Sequence, residues 1–185
     1  EQGKRVEKRA CPIESGKCLK CKPMCNITCG FSGAGAFSDG KLLSYHLSLF
    51  NENEDKIYVG GTIDKYVPVK ELKDLIAYTD DVYLAFGADK KLYGIDNRDE
   101  IKKIQEKAKK ENLNLVDIPV RHLGTEKSHE LYKKIQDYLL DNGINIMFET
   151  SVTDIIIENN TIKGVKIKKS SDLKDDNVKE KEIYA

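Results

Sequence analysis

Apolar positions change rhythm along the chain, and each rhythm predicts an element. Val69, Leu72, Leu75, Ile76, Val82, Tyr83 and Phe86 recur at roughly helical spacing. Pro68 stands at their head, where its missing N–H costs nothing in a first turn, and Gly87 is the predicted stop. Asp99 is the predicted cap of a second helix with Ile101, Ile104 and Ala108 on one face and a solvated Lys- and Glu-rich face opposite. Residues 113–120 alternate apolar and polar, which predicts a strand; Pro119 places it at an edge or a strand end. Thr125 caps a third predicted helix, which carries Leu131, Ile135, Tyr138 and Leu139, and Gly143 is its C′ residue. Residues 144–148 predict a strand. Residues 154–158 and 161–168 predict a hairpin around Asn159-Asn160. Residues 170–181 are charged and read as a surface loop. Residues 57–66 read as a hairpin or loop around Gly60-Gly61, and the first 41 residues, rich in Gly and Cys, read mostly as loop.

This order is an α/β or α+β pattern. A length of 185 residues allows one domain or two incomplete ones. The 31 basic and 31 acidic residues cancel, which argues against a dedicated binder of nucleic acid or anionic membrane. No apolar run reaches the ~20 residues of a membrane span, and no signal peptide opens the chain, so the expected compartment is the cytoplasm. The chain begins Glu-Gln-Gly rather than Met and ends in what reads as mid-strand, so both ends read as cuts, with a processed terminus as the alternative.

All five cysteines lie between Cys11 and Cys29. In a chain without a secretory signal, such a cluster favours metal or redox chemistry over structural disulfides. Turns of the C-x-x-C and C-x-x-x-C type bring sulfurs close together. Cys18, Cys21, Cys25 and Cys29 are therefore candidate ligands of Zn or an iron–sulfur cluster, with Cys11 spare. The spacing matches neither a two-cluster ferredoxin run nor a zinc ribbon. Redox-active thiols and plain structural cysteines remain as alternatives.

Three segments carry a resemblance. They are Glu1-Gln2-Gly3-Lys4, the string Gly33-Ala34-Gly35-Ala36-Phe37-Ser38-Asp39-Gly40-Lys41-Leu42, and Arg121-His122-Leu123-Gly124-Thr125 with the helix, Gly143, strand and hairpin that follow. Together they resemble a family of FAD-dependent dehydrogenases described as NAD(P)/FAD-dependent oxidoreductases, within the glutathione-reductase-like flavoproteins. The resemblance covers nearly all of the chain. It implies an α/β fold: a partial FAD/NAD(P)-binding domain with an inserted, mainly helical substrate-side region. The implied organisation is residues 1–44 as a partial FAD-binding segment with the Cys-rich loop, 45–118 as the insertion, and 119–185 as the return to the FAD-binding domain.

The resemblance also implies roles. Glu1 would accept hydrogen bonds from the adenosine ribose. Gly33, Gly35, Ser38, Asp39, Gly40 and Lys41 would pass near the flavin or pyrophosphate, and Val152 would meet the adenine through its backbone. Arg121 and His122 would lie beside the substrate region, with His122 as a candidate acid or base. The family's Gly-x-Gly-x-x-Gly turn, which lies upstream of the ribose carboxylate, is not in this sequence. The bland reading of each residue is also open: a terminal charge for Glu1, a tight loop for the glycines, strand core for Val152, and a carboxylate partner for Arg121.

The expected function is thus that of part of an FAD-dependent oxidoreductase moving hydride or electrons to or from a small-molecule substrate, with NAD(P)H as a possible donor and an iron–sulfur cluster as a conceivable relay. The rivals are a Cys-rich metal-binding module and a truncated fragment with no activity of its own. An unpaired sheet edge would favour self-association.

Overall fold

A computed structural model describes residues 1–11, 16–37, 41–44, 65–115 and 120–184. The chain is mixed α/β and divides into two compact units. One combines Glu1–Ser38 with Ser128–Ala185, and the other is Asp39–Lys127.

The first unit is built on a three-stranded antiparallel sheet, with β3 (Thr150–Glu158), β4 (Thr161–Lys169) and β5 (Lys181–Tyr184) in that order. Asn159 and Asn160 both adopt left-handed backbone, at φ 49° and 59°, as the two-residue turn of a right-twisted hairpin requires. The pairing aligns Ile155 with Val165 and Ile157 with Ile162. Ile155, Ile157, Ile162 and Val152 are all exposed, and β3 and β5 are the sheet's edges. The stretch read as one surface loop contains a single 3-10 turn, Ser170–Asp172, whose buried Ser170 hydroxyl bonds that of Ser151 at 2.8 Å.

Helix α3 (Thr125–Asp141) ends as its glycine predicts. Gly143, at φ 83°, donates to the Leu140 carbonyl, and Ile144 donates to that of Leu139, the paired bonds of a Schellman cap. Its buried stripe differs from the predicted one. Ser128, Leu131 and Gln136 are buried, whereas Tyr138 is 54% exposed. At 100° per residue, the stripe through Leu131, Ser128 and Gln136 centres near Ser128, and Tyr138 falls roughly 80° to one side, on its flank. Gln136 occupies the core because it has two partners there: its Oε1 accepts the Val6 N–H at 2.9 Å, and its Nε2 donates to Glu7 at 3.0 Å. Burial raises the Glu7 carboxyl, but the Gln136 amide, its own N–H and Arg5 together hold it below the ordinary range. Replacing Gln136 with Leu removes the acceptor for a buried N–H. The expected loss is about 1–3 kcal/mol, read from urea denaturation, because the orphaned amide is desolvated without compensation.

The predicted strand at 144–148 does not form a ladder. Glu1, through its terminal ammonium, reaches the Met147 carbonyl at 2.9 Å, and regular pairing starts only at Thr150. Residues 1–4 instead run between two segments. On one side Thr150 and Glu149 donate to the carbonyls of Glu1 and Gly3; on the other, Phe31 donates to that of Lys4.

In the second unit, α1 (Val69–Ala85) begins behind Pro68, whose carbonyl accepts the Leu72 N–H at 2.9 Å. Leu72 is buried, while Leu75, expected on the same face, is 46% exposed. Helix α2 (Arg98–Lys110) buries no residue. Asn97 rather than Asp99 stands at its N-cap, in left-handed backbone, and Asp99 lies inside the first turn, where its charge suits the helix dipole. Strand β2 (Val120–His122) is shorter and later than the predicted strand. It pairs antiparallel with β1 (Lys41–Ser44), setting Lys41 opposite His122. Residues 113–115 lie in no regular element, and 116–119, with Pro119, fall outside the described residues. The proposed hairpin at 57–66 lies almost wholly outside them as well.

Among the described residues, no helix is long and apolar enough to cross a membrane.

Candidate functional site

The densest polar construction in the first unit surrounds Arg9. Its guanidinium is almost fully buried, with the residue 3% exposed. Nε donates to the Asn26 carbonyl at 2.8 Å and Nη1 to Phe31 at 2.6 Å. Nη2 donates to both Ile27 and Gly33, each at 2.6 Å. The plane also lies over the Phe37 ring, 4.8 Å from its centroid. Burial lowers the Arg9 pKa, while the Glu1 carboxylate and the Cys29 and Cys25 thiols oppose that shift. The group stays charged at neutral pH, as guanidinium does in proteins. One side chain therefore fixes the path of residues 26–33 by holding four carbonyls that the loop's own geometry leaves unpaired.

Glu1 sits at the margin of this loop. Its Oε1 accepts the N–H of Gly3 at 2.9 Å and that of Gly30 at 3.0 Å. The close approach explains two glycines. A Cβ on Gly3 would lie 2.2 Å from the Gly30 nitrogen, and one on Gly30, which has φ 118°, would lie 2.5 Å from Arg9 Cδ. Both contacts are impossible for any larger residue.

The expected cofactor loop continues from there. Ser32 and Gly33 take left-handed backbone, at φ 67° and 55°, before the 3-10 turn Gly33–Phe37. The amides of Gly33 and Gly35 donate to Gly30 and Ser32 within the loop itself. A Cβ on Gly35 would approach the Tyr132 hydroxyl to 3.3 Å, which packs the turn against α3. The Ser32 hydroxyl is buried and finds no hydrogen-bond partner among the described residues. Ser38, Asp39 and Gly40 lie outside the described residues. Val152 is exposed on edge strand β3, opposite Ile167.

The five cysteines all carry free thiols. Among the described residues, no three of the His, Cys, Asp or Glu side chains stand together as a metal ion needs. Cys25 and Cys29 share a turn, closed by the Cys29 N–H on the Cys25 carbonyl at 2.9 Å. The Thr28 N–H, then that of Ile27, then the Thr28 hydroxyl hold the Cys25 thiol below its usual pKa. The same Thr28 hydroxyl lies 3.7 Å from Cys29 Sγ.

The second unit holds Arg121 and His122. Arg121 is 3% exposed and grips both carboxylate oxygens of Asp80, with Nη2 at 2.6 Å from Oδ2, while Nη1 donates to the Asp89 carbonyl. The His122 ring meets Tyr93 edge-on, at 6.1 Å between centroids. Arg9, Gly30, Thr28 and Gln136 had no site role in the sequence reading, and Gly3 entered it only as part of the opening string. Only Gln136 left a signal there, as an amide set beside a run of apolar helix positions. Comparison with protein-family models gives no match, and no curated protein matches the chain.

Proposed function

We propose that the chain is part of an FAD-dependent oxidoreductase that moves a hydride or an electron pair between a donor such as NAD(P)H and a small-molecule substrate. The observation that carries this reading is the Glu1 carboxylate. One oxygen is fixed by the Gly3 and Gly30 amides, and Oε2 has no partner among the described residues. A carboxylate held this way on an exposed margin is preorganised to accept hydrogen bonds from a pair of ribose hydroxyls. The buried Ser32 hydroxyl, in the adjoining glycine loop, has no partner among the described residues, which suits a polar ligand there. The Glu1–Gly3 segment lies against Glu149 and Thr150, two residues before Val152, so the proposed ribose and adenine contacts belong to one neighbourhood.

When bound, the flavin supplies the electron-accepting ring, which no side chain can replace. The chain's own residues bind and orient: Glu1 the ribose, residues 30–35 the polar linker, and Arg9 the loop that presents both. The Glu1→Gln chain keeps the Oε1 acceptor and loses the charge. It is expected to bind FAD about tenfold more weakly, the scale of one charge-assisted hydrogen bond. Flavin fluorescence quenching on titration of purified protein reads the affinity. No quenching and no flavin absorption bands in the unsubstituted chain would defeat the proposal, and equal affinity in the Gln chain would remove Glu1 from the site.

A further inference from the structure

We propose that Cys25 and Cys29 form a dithiol–disulfide site that exchanges with low-molecular-weight disulfides. The inference stands apart from the flavin reading and uses none of its residues as ligands.

Four observations carry it. The 25–29 turn is closed by one helical-type bond, Cys29 N–H to Cys25 C=O at 2.9 Å. Residues four apart in such a turn have Cα atoms about 6 Å apart, within the range a disulfide spans. The Thr28 hydroxyl, within the same turn, lies 3.7 Å from Cys29 Sγ. Both thiols also lie in the field of the buried Arg9 guanidinium. Finally, the turn is held in place from outside: Arg9 takes the Asn26 and Ile27 carbonyls, and Asn26 Nδ2 donates to the Ala10 carbonyl at 3.0 Å. A fixed turn keeps two thiols adjacent in the reduced state, which favours ring closure over reaction with a second molecule. No third ligand joins them among the described residues, so the pair suits two-thiol chemistry rather than a four-thiolate centre.

The order of events follows from exposure. Cys25 is exposed and Cys29 half-buried. The Cys25 thiolate attacks the external disulfide, forming a mixed disulfide and releasing one thiolate. Cys29, on losing its proton, attacks the Cys25 sulfur and displaces the second small thiol. The protein loses two electrons and two protons, and the external disulfide is reduced to two thiols.

The test uses the whole chain, reduced and then equilibrated with mixtures of reduced and oxidised glutathione. The expected product is a chain lighter by two hydrogens, with one disulfide that peptide mapping places between Cys25 and Cys29. Cys29→Ser is expected to accumulate one glutathione on Cys25, and Cys25→Ser to take up glutathione several-fold more slowly. Thr28→Val keeps both thiols and the Arg9 clamp, so it tests the hydroxyl beside Cys29 even if a cysteine variant fails to fold; slower closure is expected. A disulfide joining other cysteines would overturn the proposal. So would stable mixed disulfides without closure in the unsubstituted chain, or zinc or iron bound stoichiometrically through Cys25 and Cys29.

Discussion

Replacing Arg9 with Met is expected to remove about 3–5 kcal/mol of folding stability and to release residues 25–33 from their fixed path. The magnitude follows from what the guanidinium holds. Hydrogen bonds from a charged donor contribute more than neutral ones, and four buried carbonyls would each lose theirs. Methionine fills much of the space, so the loss reports hydrogen bonding more than a cavity. Arg9→Lys is the sharper comparison. Lysine retains the charge but is a compact ammonium that cannot fork to four acceptors, so it should recover less than half of the loss. Urea denaturation gives the free energies. Amide hydrogen exchange at Cys29, Phe31 and Gly33, whose N–H groups are bonded in this loop, reads the local release. Unchanged stability and exchange in the Met chain would mean that the loop is held by Glu1 and the glycines alone.

Sequence pattern made some of this architecture legible and left the rest hidden, and the division has a physical basis. The hairpin at Asn159-Asn160, the Gly143 cap and the helix behind Pro68 were readable because each depends on residues adjacent in sequence. The packed face of α1 and α3 was read less well, since burial of Leu75, Tyr138 and Gln136 is decided by what lies opposite, which periodicity does not encode. The candidate site shows the same contrast. The string at 33–41 drew attention through its glycines, yet a close approach that leaves no room for a Cβ lies between Gly3 and Gly30, 27 positions apart. Arg9 looked like one more charge in a basic run. Its role depends on four carbonyls presented by a loop 17 to 24 residues further on, and no composition or spacing rule announces such a convergence. The cysteine spacing suggested four thiolates around a centre, and what spacing does not carry is the backbone bond that sets Cys25 and Cys29 in one turn.

Arg121→Met is expected to destabilise the Asp39–Lys127 unit by about 3–5 kcal/mol, the loss typical when a buried ion pair keeps one partner. Arg121 joins three parts of that unit. It sits on β2, takes the Asp80 carboxylate on α1 with a two-pronged grip, and takes the Asp89 carbonyl on the segment that leads to Tyr93. That segment then bridges back to β2 through reciprocal bonds between Tyr93 and Val120, at 2.8 and 2.9 Å. The unit buries little apolar surface among its described residues, chiefly Leu72 and Ala88, so its polar fastening carries an unusual share of the burden. Removing the guanidinium leaves the Asp80 carboxylate, only 17% exposed, without its compensating charge. The double variant Arg121→Met, Asp80→Leu should therefore be more stable than Arg121→Met alone, because an apolar pair carries no uncompensated charge. This separates two roles for Arg121. A residue whose task is to bind substrate would cost activity while leaving α1 protected from hydrogen exchange. A residue whose task is to hold α1 against β2 would expose α1 amides in the single variant and restore part of their protection in the double variant. The geometry favours the second outcome, since all three guanidinium nitrogens already donate to protein acceptors. Full α1 protection in the Arg121→Met chain would return Arg121 to the list of residues available for chemistry.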